Sequence, residues 1–179
     1  TIVRPSDDKE PESIAFVQCA GSRDENHLPY CSYICCMASL KHATYIRARY
    51  PEAKIYIFYI DMRAPGNRYE KFYKKIKEDE NVFFIKGKVA DVEQSADNHQ
   101  ITVVAENAVT GEKVRHTVDM VVLATGMQPS LSEGGAPAGV TLDENSFVIS
   151  DYENGIIGAG CAKKAADVAT TTQSSTAAA

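Results

Sequence analysis

Three runs in this chain, SIAFVQCAG (13–21), AKIYIFYID (53–61) and DMVVLATG (119–126), are apolar with little alternation. A strand with one wet face alternates polar and apolar residues, whereas a strand covered on both faces reads as a continuous apolar run. The runs therefore read as buried strands of a sheet. Between the first two runs a helix is expected from about Ser32 to Tyr50, where Pro51 disfavours helical geometry in the preceding residue. At 100° per residue Cys36, Met37, Leu40, Ala43 and Thr44 share one face, with Lys41, His42 and Arg49 turned away. Strand, helix and strand in about fifty residues make a right-handed βαβ unit with parallel strands. The fold class is α/β, with the second and third apolar runs in the middle of the sheet.

The remaining chain fits this frame. Residues 1–12, polar with two prolines, read as a flexible lead-in. RAPGN is a turn before a basic helix (68–80), whose run from Lys71 to Lys77 is most simply a solvated face. NVFFIKGKVADVEQ (81–94) reads as a strand pair or bent strand, and a turn near TGEK separates two strands between Gln100 and Gly126. Residues 127–146 are a Gly-, Pro- and Ser-rich connector, FVIS a short strand, GIIGAG a strand-to-loop turn, and the alanine- and threonine-rich tail a final helix that frays. The expected division is a lead-in (1–12), a Rossmann-like domain (13–128) and part of another domain (129–179). A net charge of −5 argues against a general nucleic-acid or membrane-surface binder. No apolar run reaches the ~20 residues of a membrane span. The chain opens on Thr1 rather than Met, so an excised segment is expected.

The five cysteines are not spread like a disulfide framework, and a reduced, cytoplasmic compartment is expected. Cys19, Cys31, Cys35 and Cys36 follow C-x11-C-x3-C-C, from the end of the first strand to the start of the helix. A helix N-terminus favours negative charge, and a cluster held by four thiolates is an anion. A [4Fe–4S] cluster is the favoured reading. Structural zinc, a redox-active thiol pair and plain core cysteines are the alternatives, although the paired zinc knuckles and the C-x-x-C redox motif are both missing. His27, His42, His99 and His116 read as surface or loop residues rather than ligands.

A nicotinamide site would need G-x-G-x-x-G after the first strand, and QCAGSRDE carries a lone glycine there. No useful NAD(P)H affinity is expected. Asp61, where a ribose-binding acid would stand, reads as a strand-end residue. GIIGAGCAKK (155–164) imitates a dinucleotide fingerprint, but its third glycine would fall at Lys163. With VLATG (122–126) it matches instead two recurring elements of two-domain flavoprotein reductases.

In this order, FVQCAGSRDE, YCSYICCMASLKHA, VLATG and GIIGAGCAKKAADVA resemble the A-subunit family of heterodisulfide reductases over residues 13–179, and within it the branch found in quinone-interacting membrane-bound oxidoreductase complexes. The resemblance implies a thioredoxin-reductase-like architecture: a Rossmann-like nicotinamide-type domain, here with the C-terminal remnant of an FAD domain. It implies that Cys19, Cys31, Cys35 and Cys36 ligate a [4Fe–4S] cluster, and that Thr125, Gly126, Gly160 and Cys161 lie near FAD, with Cys161 in place of the usual acid. It further implies electron transfer with the other subunits of a membrane-associated complex, and with a sulfur-metabolism reductase, on the cytoplasmic side without membrane insertion. The family's N-terminal FAD fingerprint and a ferredoxin-type cysteine run are missing from this chain, so the fragment alone is expected to be inactive. A nicotinamide- or disulfide-linked flavoprotein reductase and a zinc-stabilised docking module are the rival functions.

Overall fold

Both faces of the central sheet are covered by apolar layers. A computed structural model describes residues 2–65, 67–96 and 100–179. Strands β1 (Ser13–Val17), β2 (Lys54–Tyr59), β3 (Val82–Lys86) and β7 (Met120–Leu123) form a parallel sheet in the order β3-β2-β1-β7. On one face, helices α1 (Cys35–Arg49) and α2 (Asn67–Lys77) bring Leu40, Ala43, Ile46 and Ile76 onto Ile14, Phe16, Ile55 and Ile57. On the other, β4 (Val89–Gln94), β5 (Ile101–Glu106) and β6 (Lys113–Val118) form an antiparallel sheet. Its Val103, Ala105 and Val118 cover Ala15, Val17 and Phe58. Burying each large side chain in these layers is worth about 1.5–3 kcal/mol. The βαβ unit and the α/β class stand as read.

Four details differ from the reading of the sequence. Strand β7 lies at the sheet edge rather than in its middle. Met120 and Val122 pack on the helical face and Val121 on the antiparallel sheet, so β7 is apolar because both its faces are covered. Helix α1 starts three residues later than expected, because Tyr33 has φ 68°, a left-handed conformation no helix accommodates. Residues 100–126 form three strands, not two, because the chain changes sheets at Asp119. The Asp119 carboxylate accepts from the backbone N–H groups of Glu12 (3.0 Å) and Ser13 (2.9 Å). The chain also changes sheets at Gly87, where a Cβ would sit 1.9 Å from the Glu106 carbonyl oxygen, so only glycine passes. Finally, His116 is on β6 rather than in a loop, with its ring 5.1 Å from that of Tyr56 and 5.6 Å from that of Phe58. His27 and His42 are exposed, and His99 lies outside the described residues.

The chain divides into two units, residues 1–20 with 35–125, and residues 21–34 with 126–179. The layers above make up the first. Residues 2–12, read as a flexible lead-in, are tied to it: the Tyr50 hydroxyl donates to the Ile2 carbonyl (2.5 Å), and Arg4 pairs with Asp7 and Asp119. Lys71, Lys74, Lys75 and Lys77 are all exposed on α2. The second unit holds little regular structure. It has α3 (Leu131–Gly134), a 3-10 turn (Gly160–Ala162) and α4 (Val168–Ala178). The strands expected at FVIS and GIIGAG are single bridges, Leu142 with Val148 and Asp151 with Ile156.

Candidate cofactor site

In the first unit, chemistry gathers at the carboxyl end of β1. The Gln18 N–H donates to the Phe58 carbonyl (3.0 Å), extending the β1–β2 ladder one residue beyond Val17. Strand alternation then puts the Gln18 side chain on the helical face, with Ile14 and Phe16. That side chain is 5% exposed, and among the described residues neither its amide nitrogen nor its amide oxygen has a hydrogen-bond partner. Cys19 follows with φ 58°, a left-handed conformation costing a non-glycine residue about 1–2 kcal/mol. The α1 helix opens on Cys35 and the buried Cys36, and its first turn carries no acidic residue. The Cys36 thiol donates to the Asp61 carbonyl (3.8 Å), while the exposed Asp61 carboxylate is 3.9 Å from Arg63. Asp61 lies two residues beyond the end of β2.

In the second unit, the loop 21–34 closes through a polar knot. Ser22 Oγ and Ser32 Oγ are buried 2.7 Å apart, and the Met127 N–H donates to Ser32 Oγ (2.8 Å). The Tyr30 hydroxyl donates to the Met127 carbonyl (3.0 Å). A Cβ on Gly126, whose φ is 108°, would meet Ser22 Oγ at 2.1 Å and Ser32 Oγ at 2.4 Å. This loop carries Cys31, whose sulfur accepts the Tyr33 N–H at 3.4 Å.

The tail of the second unit is built around Gly160, buried with φ 55°, where a Cβ would lie 2.6 Å from Thr171 Cγ2. Its N–H donates to Ser174 Oγ (3.1 Å). Asp167 caps α4 by accepting the Thr170 N–H (2.7 Å). Cys161 is exposed, its sulfur 3.3 Å from Thr171 Oγ1 and 3.6 Å from the Ala166 carbonyl. Packing alone accounts for both Gly126 and Gly160. Thr125 is exposed at the end of the first unit.

Cys19, Cys35 and Cys36 belong to the first unit and Cys31 to the second. Among the described residues no three His, Cys, Asp or Glu side chains stand grouped as a metal site, and no cysteine is in a disulfide. The donor chemistry nevertheless fits an iron–sulfur cluster. The four residues offer sulfur ligands, the Cys31 sulfur already takes a backbone N–H, and an orphaned amide stands one residue before Cys19. Sequence reasoning missed Gln18, although a lone amide inside the apolar run SIAFVQCAG was the available signal.

No family model matches the chain. It is 43% identical over 129 residues to the second iron-sulfur A-subunit of CoB–CoM heterodisulfide reductase in Methanopyrus kandleri, covering 72% of this chain and 20% of that protein. The likeness is to the A-subunit of heterodisulfide reductases. A second relative, the A-subunit of the H2/formate:CoB–CoM heterodisulfide, ferredoxin reductase of Methanococcus maripaludis, is 39% identical over 133 residues, 74% of this chain and 20% of that one. The chain spans about a fifth of the length of these curated relatives. Among solved structures, Lactococcus lactis thioredoxin reductase superposes with a TM-score of 0.59 at 16% identity, covering 92% of this chain and 49% of that one. The thioredoxin reductase of T. acidophilum gives 0.54 at 19% identity, over 90% and 48%. The fold is thus similar to that of about half of a thioredoxin reductase.

Proposed function

We propose that this chain is a segment of an iron–sulfur flavoprotein oxidoreductase that relays electrons between FAD, a [4Fe–4S] cluster and partner subunits. The observation that carries the reading is the C-x11-C-x3-C-C set, which begins at the end of β1 and closes on the first turn of α1. In this reading Cys19, Cys31, Cys35 and Cys36 hold the cluster, and Thr125, Gly126, Gly160 and Cys161 lie beside the flavin. Relatives named as iron-sulfur subunits of heterodisulfide reductases support it. The finer assignment follows the resemblance within that family: a quinone-interacting, membrane-associated complex of anaerobic sulfur metabolism, on its cytoplasmic side, with a sulfur-metabolism reductase as partner. No helix among the described residues is long and apolar enough to cross a membrane. When bound, the cluster would supply one-electron transfer. This chain's residues would hold it through thiolates and set its hydrogen bonding.

The test is anaerobic isolation or reconstitution, followed by iron, sulfide and zinc analysis. Close to four iron and four sulfide per chain are expected, as the cluster formula requires, and Cys19→Ser, Cys31→Ser, Cys35→Ser and Cys36→Ser should each lower them. Zinc without sulfide would replace this reading by a zinc-stabilised docking module. A metal-free protein with a reversible thiol pair would favour a disulfide- or nicotinamide-linked reductase.

A further inference from the structure

We infer that Gln18 is a cofactor-binding residue whose amide N–H donates to a sulfur of the cluster held by the neighbouring thiolates, raising its reduction potential; the inference rests on the function proposed above. A buried polar group without a partner carries an uncompensated desolvation cost, and native proteins tolerate few of them. Gln18 is 5% exposed, and both ends of its amide lack a partner among the described residues. The strand positions before it on that face, Ile14 and Phe16, belong to an apolar cluster. An apolar side chain would fill the same place at lower cost. A retained amide therefore points to a group outside the polypeptide.

Position and chemistry say which kind. Gln18 directly precedes Cys19 and stands at the carboxyl end of β1, where sheets of this type receive their ligands. In the same unit the chain re-enters with Cys35 and Cys36 at the positive end of α1. Thiolate and sulfide sulfurs are acceptors, and hydrogen bonds to them are among the levers that set cluster potentials. Such a bond strengthens as the cluster gains negative charge, so it favours the reduced form. The two N–H donors of the amide supply what an anionic cluster needs, and a leucine or methionine there would not.

The experiment compares Gln18→Leu and Gln18→Met with wild type, with and without cluster. Without cluster, replacing an orphaned amide by an apolar side chain should raise the urea midpoint of unfolding. With the cluster reconstituted, both variants should be harder to reduce in an EPR-monitored titration. The expected change is about tenfold in the reduction equilibrium, or ~59 mV for a one-electron couple. Potentials unchanged in both variants, with the cluster present, would overturn the inference and leave the proposed function standing. So would a lowered midpoint for cluster-free Gln18→Leu, which would give the amide a structural partner. A wild-type chain that assembles no iron–sulfur cluster would overturn the proposed function, and the inference with it.

Discussion

Replacing Gly126 by alanine tests whether this glycine serves the polar knot of the loop 21–34 or only the geometry of the chain. Two costs can be separated. At φ 108° a side chain is strained whatever surrounds it, by about 1–2 kcal/mol. The added methyl would also lie 2.1 Å from Ser22 Oγ and 2.4 Å from Ser32 Oγ, so the Ser22–Ser32 pair and the Met127 N–H bond cannot both survive. Each of those buried bonds is worth about 1 kcal/mol. The expected loss for Gly126→Ala is therefore about 3 kcal/mol, read by native-state hydrogen exchange at the Met127 amide. With Ser22→Ala and Ser32→Ala already in place, the same substitution should cost only the backbone part, a coupling of about 1–2 kcal/mol in the double-mutant cycle. An equal penalty in both backgrounds would refute the steric argument. A loss under about 0.5 kcal/mol would refute the backbone argument as well.

Arg47 Nε lies 2.9 and 3.1 Å from the two Asp79 carboxylate oxygens and holds that group below the usual aspartate range. The pair should stabilise above the ordinary aspartate value and fade as the pH falls through the lower folded one. Asp79→Asn should cost about 1–2 kcal/mol in urea unfolding at neutral pH and progressively less in acid. Burial pushes the His116 imidazolium down, so its protonation opposes folding. Between the ordinary histidine value and the lower folded one, wild type should lose stability as the pH falls, and His116→Phe should lack that part of the slope, at most one proton's worth. Helix α4 has no buried residue. Its amides should exchange roughly 100-fold faster than those of Ile55 to Phe58; equal protection would contradict this.

The β1–α1–β2 succession was readable because its signals are repeating ones. The apolar runs at β1 and β2 report buried strands, and the spacing of Cys36, Leu40 and Ala43 reports one buried helix stripe. What periodicity does not carry is lateral position, so β7 reads like a central strand while lying at the edge. Nor does it carry points where a single residue redirects the chain, as Gly87 and Asp119 do. The thiols were legible by residue type alone. The grouping of residues 21–34 with 126–179 was not, because it depends on two serine hydroxyls, a backbone amide and the missing side chain of Gly126. No local pattern announces such a contact across ninety-odd positions of sequence.

That knot also imposes an order of events on synthesis. The Cys31 loop leaves the ribosome roughly ninety residues before Gly126 and Met127, the backbone on which it closes. At ordinary elongation rates the delay is about 5–20 s, long compared with the closing of any local loop. Throughout that interval the β1–α1–β2 unit can already be complete, while Cys31 and its neighbours remain open to solvent. The window in which this loop is open without first being pried apart is thus a stage of translation, and it ends when Met127 emerges.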